Sequence, residues 1–185
     1  MKISIRPFAF VSLALVSVTA LYAVDLTKAY EMPDATQLVK DDLIPEATKF
    51  TLPKECKLDD LETIARGKYL YHNLNSKVAK EPRPKGLEAP KEGKVKPYGN
   101  CVACHNIEGA VGGGNVGPDL TNYKSIFVDT KVRDAQFVYQ KIADPRVDMK
   151  TTSMTVNLTT KMFTPSEVCD VTAYVMQDKS KQVKK

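Results

Sequence analysis

Residues 101–105 read Cys-Val-Ala-Cys-His, and no other stretch constrains the fold of this chain as strongly. Two thiols separated by two residues stand about one helical turn apart. The histidine follows the second thiol directly, so its imidazole can be aimed into the same space. This is the attachment pattern of a c-type haem. Cys101 and Cys104 are expected to form thioethers with the two vinyl groups of one haem, and His105 to ligate its iron from the same side. A disulfide or redox pair could also use C-x-x-C, but it has no need of His105, and no βαβ pattern precedes the motif. Zinc could recruit Cys56, Cys169 or His72 as a fourth ligand, yet the sequence offers no second C-x-x-C and no paired histidine spacing. One covalent haem c is therefore the expected cofactor.

The N-terminus gives the address. Lys2 and Arg6 form a short basic head, and Phe8 to Ala20 is an unbroken run of apolar and small residues. Ala20 and Ala23 offer cleavage sites. The run is too short for a membrane span, which needs about 20 apolar residues, and reads as a signal peptide over 1–23. No cysteine follows it, so a lipoprotein anchor is not supported. The mature chain is expected to start near Val24, without a membrane span, in the periplasm. Removing Lys2 and Arg6 lowers the net charge from +5 to +3. That is too mild for nucleic acid and suits transient docking to acidic protein surfaces.

Hydrophobic residues make up 43% of the 185, enough for one core. Residues 24–56 contain Pro33, Pro45 and Pro53 without sustained periodicity, and are expected to form an irregular N-terminal extension. The domain itself spans 57–178. Leu58 to Leu74 has helical spacing through Leu58, Leu61, Ile64 or Ala65, Lys68 with Tyr69, and Tyr71. Gly67 inside that pattern marks a close backbone crossing. Residues 76–99 carry four prolines and seven basic residues, and read as an exposed Lys/Pro-rich insertion. Residues 109–118 include five glycines and must form a shaped loop. Asp134 to Ala143 is a short helix that Asp144-Pro145 ends. Thr164, Pro165 and Glu167 form the start signal of the last helix, with Val168, Val171, Thr172 and Val175 as its apolar stripe. The tail at 179–185 is basic. The fold class is all-α.

A second axial ligand must come from elsewhere, and methionine suits electron transfer by raising the reduction potential. Met149, Met154, Met162 and Met176 follow the motif. Met176 falls on the last helix, where packing is its expected role, and Met162 directly precedes that helix. Met154 is favoured and Met149 stands second, because both lie in an irregular loop that can aim a side chain at iron. His72 would give a bis-histidine alternative, but on the first helix it reads as a satisfied histidine. No nucleophile–base pair or carboxylate dyad stands out, so no catalytic residue is expected and the chemistry is that of the haem.

These features together resemble a class I cytochrome c. The order is a first helix, C-x-x-C-H, the turn Gly117-Pro118-Asp119-Leu120, a methionine loop at Met154 and a C-terminal helix over Pro165–Met176. The resemblance implies that Gly67 meets the last helix near Tyr174, and that Pro118 lines the proximal side with its carbonyl orienting His105. It also implies crossing helices flanked by Cys56 and Cys169, which could then form a disulfide. Within that class, Gly99–His105, Gly114–Leu120, the ten-residue step from Asp144 to Met154 and Phe163–Val168 are similar to SoxX, the monohaem subunit of the SoxAX complex. Thr155 stands where that family has a proline, which keeps Met149 open. The SoxX resemblance implies a heterodimer with a SoxA-like cytochrome that holds the catalytic haem. The complex would join thiosulfate to a cysteine of the carrier SoxYZ and pass electrons to a downstream small cytochrome c. An independent soluble electron shuttle is the alternative.

Overall fold

A computed structural model describes residues 46–177, all within one unit, Ile44–Lys185. The signal segment, the extension up to residue 45 and the basic tail at 179–185 lie outside the described residues. Among the described residues there are three α-helices and no sheet, only isolated bridges at Asn75–Pro97 and His105–Asn115. No helix among them is long and apolar enough to cross a membrane.

Helix α1 spans Leu61–His72. It begins three residues later than the periodicity alone implies because the Asp60 carboxylate accepts from the Thr63 backbone N–H at 2.9 Å, capping the first turn. Of the expected stripe, Ile64, Tyr69 and Tyr71 are buried and Leu58 packs on the core, whereas Leu61 and Lys68 face out. Leu61 is 81% exposed, while Ile64, Gly67, Leu70 and Tyr71 point inward. These four recur at three- and four-residue steps, as one helix face requires.

The last helix, labelled α3 in chain order, spans Pro165–Val175. Its capping box is complete: Thr164 Oγ1 accepts from the Glu167 N–H, and a Glu167 carboxylate oxygen accepts from the Thr164 N–H at 2.9 Å. Every residue from Glu167 to Val175 is buried, so this helix is enclosed on all sides rather than along one stripe. It crosses α1 at Gly67. A Cβ there would stand 1.9 Å from the Asp170 carbonyl oxygen and 2.9 Å from Tyr174 Cβ. Only glycine lets the backbones approach this closely. Beside the crossing, Arg66 makes a bidentate pair with buried Asp170, its Nη2 at 2.8 Å from Oδ1 and its Nε at 3.1 Å from both oxygens. A disulfide joins Cys56 to Cys169 across a sequence separation of 113 and fixes the start of α1 to α3.

Helix α2 spans Ala135–Ala143 and is capped by Asp134, whose side chain accepts from the Phe137 N–H. The part of the extension within the described residues has no helix or strand of its own, but it is held in place. Residues 48–52 form a strap along α2, held by side chains one helical turn apart. The N–H groups of Leu52, Phe50 and Thr48 donate in turn to Gln136 Oε1, Gln140 Oε1 and Asp144 Oδ2 at 2.7, 2.6 and 3.2 Å. Gln136 and Gln140 return hydrogen bonds to the carbonyls of Phe50 and Thr48. Alternate residues of an extended chain advance nearly as far as one helical turn, so the two periods register.

Candidate haem site

The cysteine motif is reached by a short antiparallel approach to the end of α1. The N–H groups of Tyr98, Gly99 and Asn100 donate to the carbonyls of Leu74, Leu70 and Asn73 at 2.9, 3.1 and 3.1 Å. Asn100 then takes a left-handed conformation (φ 44°), and Cys101–Ala103 form a single 3-10 turn. The N–H groups of Cys104 and His105 both return to the Cys101 carbonyl, at 3.1 and 2.9 Å. Both cysteines are unpaired, although the other two cysteines are bonded. Burial pushes the Cys101 thiol up to about 12.

The glycine-rich segment passes beneath the motif. The N–H groups of Gly114, Gly117 and Leu120 donate at 2.8 Å to the carbonyls of Val102, Cys104 and Asn106. A Cβ on Gly117 would lie 2.3 Å from His105 Cε1, so the imidazole occupies the space a side chain would need. Pro118 follows, and His105 Nδ1 lies 2.9 Å from its carbonyl oxygen. Only an N–H can satisfy a carbonyl, so Nδ1 carries the proton and Nε2 is left with the lone pair for a metal. Tyr71, buried on α1, donates to the His105 carbonyl at 3.3 Å. Asn106 Nδ2 donates to Asp119 at 2.7 Å. Hydrogen bonds from Thr121 and Asn106 hold the Asp119 carboxyl below its ordinary value.

Met149 and Met154 lie on a loop closed at its base by buried groups. Asp144 is fully buried and receives Arg146 Nη2 at 2.7 Å, Arg146 Nε at 2.9 Å, Thr159 Oγ1 at 2.7 Å and the Thr48 N–H of the strap. Burial raises its carboxyl, but bonds from Arg146, Thr159 and Thr48 outweigh that and hold it far below the usual range. Asn157 Nδ2 donates to the Ile142 carbonyl, and the N–H groups of Asn157 and Leu158 donate to that of Ala143. Met154 is half-buried against the core cluster, whereas Met149 is 55% exposed. Met162 and Met176 also pack on the core. His72 Nε2 is engaged with the Tyr174 hydroxyl at 2.9 Å.

The cytochrome c family model matches residues 64–179, more than half of the chain. The chain belongs to the cytochrome c family. A comparison with curated proteins finds no match. Family membership makes this a haem electron-transfer protein with covalently bound haem c and electron-transfer partners. The residues present fit that group. Two thiols sit on one turn, a histidine is fixed through Nδ1 with Nε2 left for iron, and a glycine clears room for its ring. Among the described residues no cluster of three or more His, Cys, Asp or Glu side chains could hold a separate metal ion.

Three supporting contacts were not anticipated from the sequence: Tyr71 to the His105 carbonyl, Asn106 to Asp119, and the Gln136–Gln140–Asp144 ladder. The ladder had a legible signal, polar acceptors at four-residue steps ending on an aspartate. The two others depend on tertiary approach and left none.

Proposed function

We propose that Cys101 and Cys104 carry the haem as thioethers, that His105 Nε2 and the Met154 thioether are its axial ligands, and that Pro118 lines its proximal side. The mature protein then acts in the periplasm as the monohaem electron-transfer subunit of a SoxAX-type complex. The haem supplies one-electron chemistry. The chain's part is to hold it and set its environment. The proton on His105 Nδ1, given to the Pro118 carbonyl, fixes the imidazole's tautomer and orientation. Met154 supplies a neutral, polarisable donor that favours the reduced state, and its half-buried position supports it over exposed Met149.

The observation that carries the SoxAX reading is the run Asp144 to Met154. The aspartate that opens this segment is the buried acceptor closing the base of the methionine loop. In that reading the complex joins thiosulfate to the SoxYZ cysteine at a haem in a SoxA-like partner. The present subunit takes the released electrons and passes them to a small cytochrome c. Native purification from the source periplasm, with mass spectrometry of what travels with this haem protein, tests it. A second cytochrome in constant ratio, with thiosulfate-dependent haem reduction when a cysteine carrier is present, is the expected result. A lone monomer exchanging electrons with many donors would make it an independent shuttle.

A further inference from the structure

The insertion at 76–99 is clasped at its ends and anchored in the core at two points. Its two ends are clasped by Ser76 N–H to the Lys96 carbonyl and Lys96 N–H to Ser76 Oγ, both at 2.9 Å, and by the Asn75–Pro97 bridge. Leu87 and Tyr98 anchor it in the core at 5% and 2% exposure. Tyr98 packs edge-on against Tyr69 of α1. Lys96 is turned inward, 2.6 Å from buried Glu167 and 3.3 Å from Glu88, so it belongs to the scaffold and not to the surface. The expectation that the whole insertion is exposed is corrected at these positions.

What remains outward has a definite chemistry. Lys77, Lys80, Arg83, Lys91 and Lys94 are exposed. Lys85 is exposed too and meets Glu62 only at 3.7 Å, an arrangement worth little in water. Beside the clasp, Leu74, Val78 and Val95 are 53%, 53% and 55% exposed. Exposed apolar and cationic side chains together on an anchored segment have the composition of a protein-docking face. The clasp and the two core anchors lower the backbone part of the ordering cost of binding, while the long lysine side chains still have to be ordered. Its return limb leads from Lys96 through Tyr98 and Gly99 into Cys101, which ties the base of the insertion to the haem-attachment turn.

We propose that this insertion is the docking face for an acidic protein partner, with exposed Val78 and Val95 supplying its apolar contacts and Lys77, Lys80, Lys91 and Lys94 its charge. A protein is favoured over an anionic lipid surface because Glu81, Glu88 and Glu92 are exposed among the cations. A bilayer of uniform negative charge repels them, whereas a protein surface can match an alternating pattern. The proposal does not depend on the thiosulfate reading, since the partner is defined only by its surface charge.

The test uses the full haem-loaded chain in its reduced state, with backbone NMR shifts followed during titration with a glutamate–tyrosine copolymer at low salt. Shifts are expected to concentrate at 74–98 and to fade as salt rises. The variant carrying Lys77→Gln, Lys80→Gln, Lys91→Gln and Lys94→Gln should bind roughly tenfold more weakly with its thermal midpoint unchanged. Val78→Ser with Val95→Ser should weaken the copolymer further than it weakens polyglutamate. Shifts centred elsewhere, or a four-lysine variant that binds as the parent does, overturn the proposal. Tighter binding to anionic phospholipid vesicles than to the copolymer overturns it in favour of a membrane.

Discussion

Asp144→Asn is the substitution whose consequence can be worked furthest. The carboxylate is fully buried and takes donors from three separate segments: the strap through Thr48, its own turn through Arg146, and the far side of the methionine loop through Thr159. An asparagine keeps the volume but loses the charge and turns one acceptor oxygen into a donor facing Arg146 or Thr159. Removing one partner of a buried ion pair costs about 3–5 kcal/mol, because the other charge is left desolvated. Arg146 is 14% exposed and can reach some water, so the lower part of that range, about 3 kcal/mol, is the expected loss. Denaturant unfolding of the haem-loaded protein at neutral pH measures it. The pH dependence has a definite sign. The folded-state carboxyl is held below its unfolded value of about 3.9, so its contribution is fully present above that value and is lost as pH falls beneath it. The gap between parent and Asp144→Asn should therefore narrow below about pH 4. A second readout is local. If the base of the loop loosens, the long-wavelength charge-transfer band of the oxidised haem should weaken in the variant, and Thr159→Val should be non-additive with it by about 1 kcal/mol. A loss under 1 kcal/mol at neutral pH, or a gap that widens on acidification, would refute the assignment of Asp144 as an ionised hub.

Four further outcomes follow from the geometry. Gly67→Ala places a methyl against the Asp170 carbonyl and should cost about 3 kcal/mol or more, read as a lower denaturation midpoint. Gly117→Ala should displace the His105 ring and reduce haem incorporation, measured as the haem-to-protein absorbance ratio, with far-ultraviolet circular dichroism retained. Cys56→Ser with Cys169→Ser should lower stability by about 4–5 kcal/mol, as expected for opening a loop of separation 113, and reductant should no longer shift the thermal midpoint. Met154→Ala should abolish the charge-transfer band of the oxidised protein while Met149→Ala leaves it intact; the reverse pattern would move the ligand to Met149.

Much of the scaffold was legible because its signals are local. The Thr164–Glu167 capping box marked the start of the last helix to the residue, and Gly67 announced a close crossing without revealing its partner atom. The C-x-x-C-H spacing carried the site for the same reason, since one turn of chain suffices to hold its three groups. The first helix was legible except at its start and at Lys68, which faces out. Leu58 and Leu61 are apolar but flank a cap, and Leu61 is left exposed because the chain turns into the helix only at Asp60. The insertion misled through composition. Lysines and prolines suggest solvent, yet Lys96 is half-buried against the acidic Glu167 of α3, a residue 71 positions away in sequence that no local pattern names. The strap was missed because its hydrogen bonds come from backbone N–H groups, which every residue carries, and its selectivity lies entirely in Gln136, Gln140 and Asp144 on α2.

The central claim is that one haem is bonded covalently to Cys101 and Cys104. The most direct measurement is intact mass spectrometry of the purified protein after denaturation and acid–acetone extraction, with peptide mapping of the fragment that contains residues 101–105. The account predicts that the mass of one haem stays with that fragment, and that Cys101→Ser with Cys104→Ser releases all of it into the organic phase. A parent protein that yields its haem to the solvent, or a haem mass on a fragment without these cysteines, would contradict it.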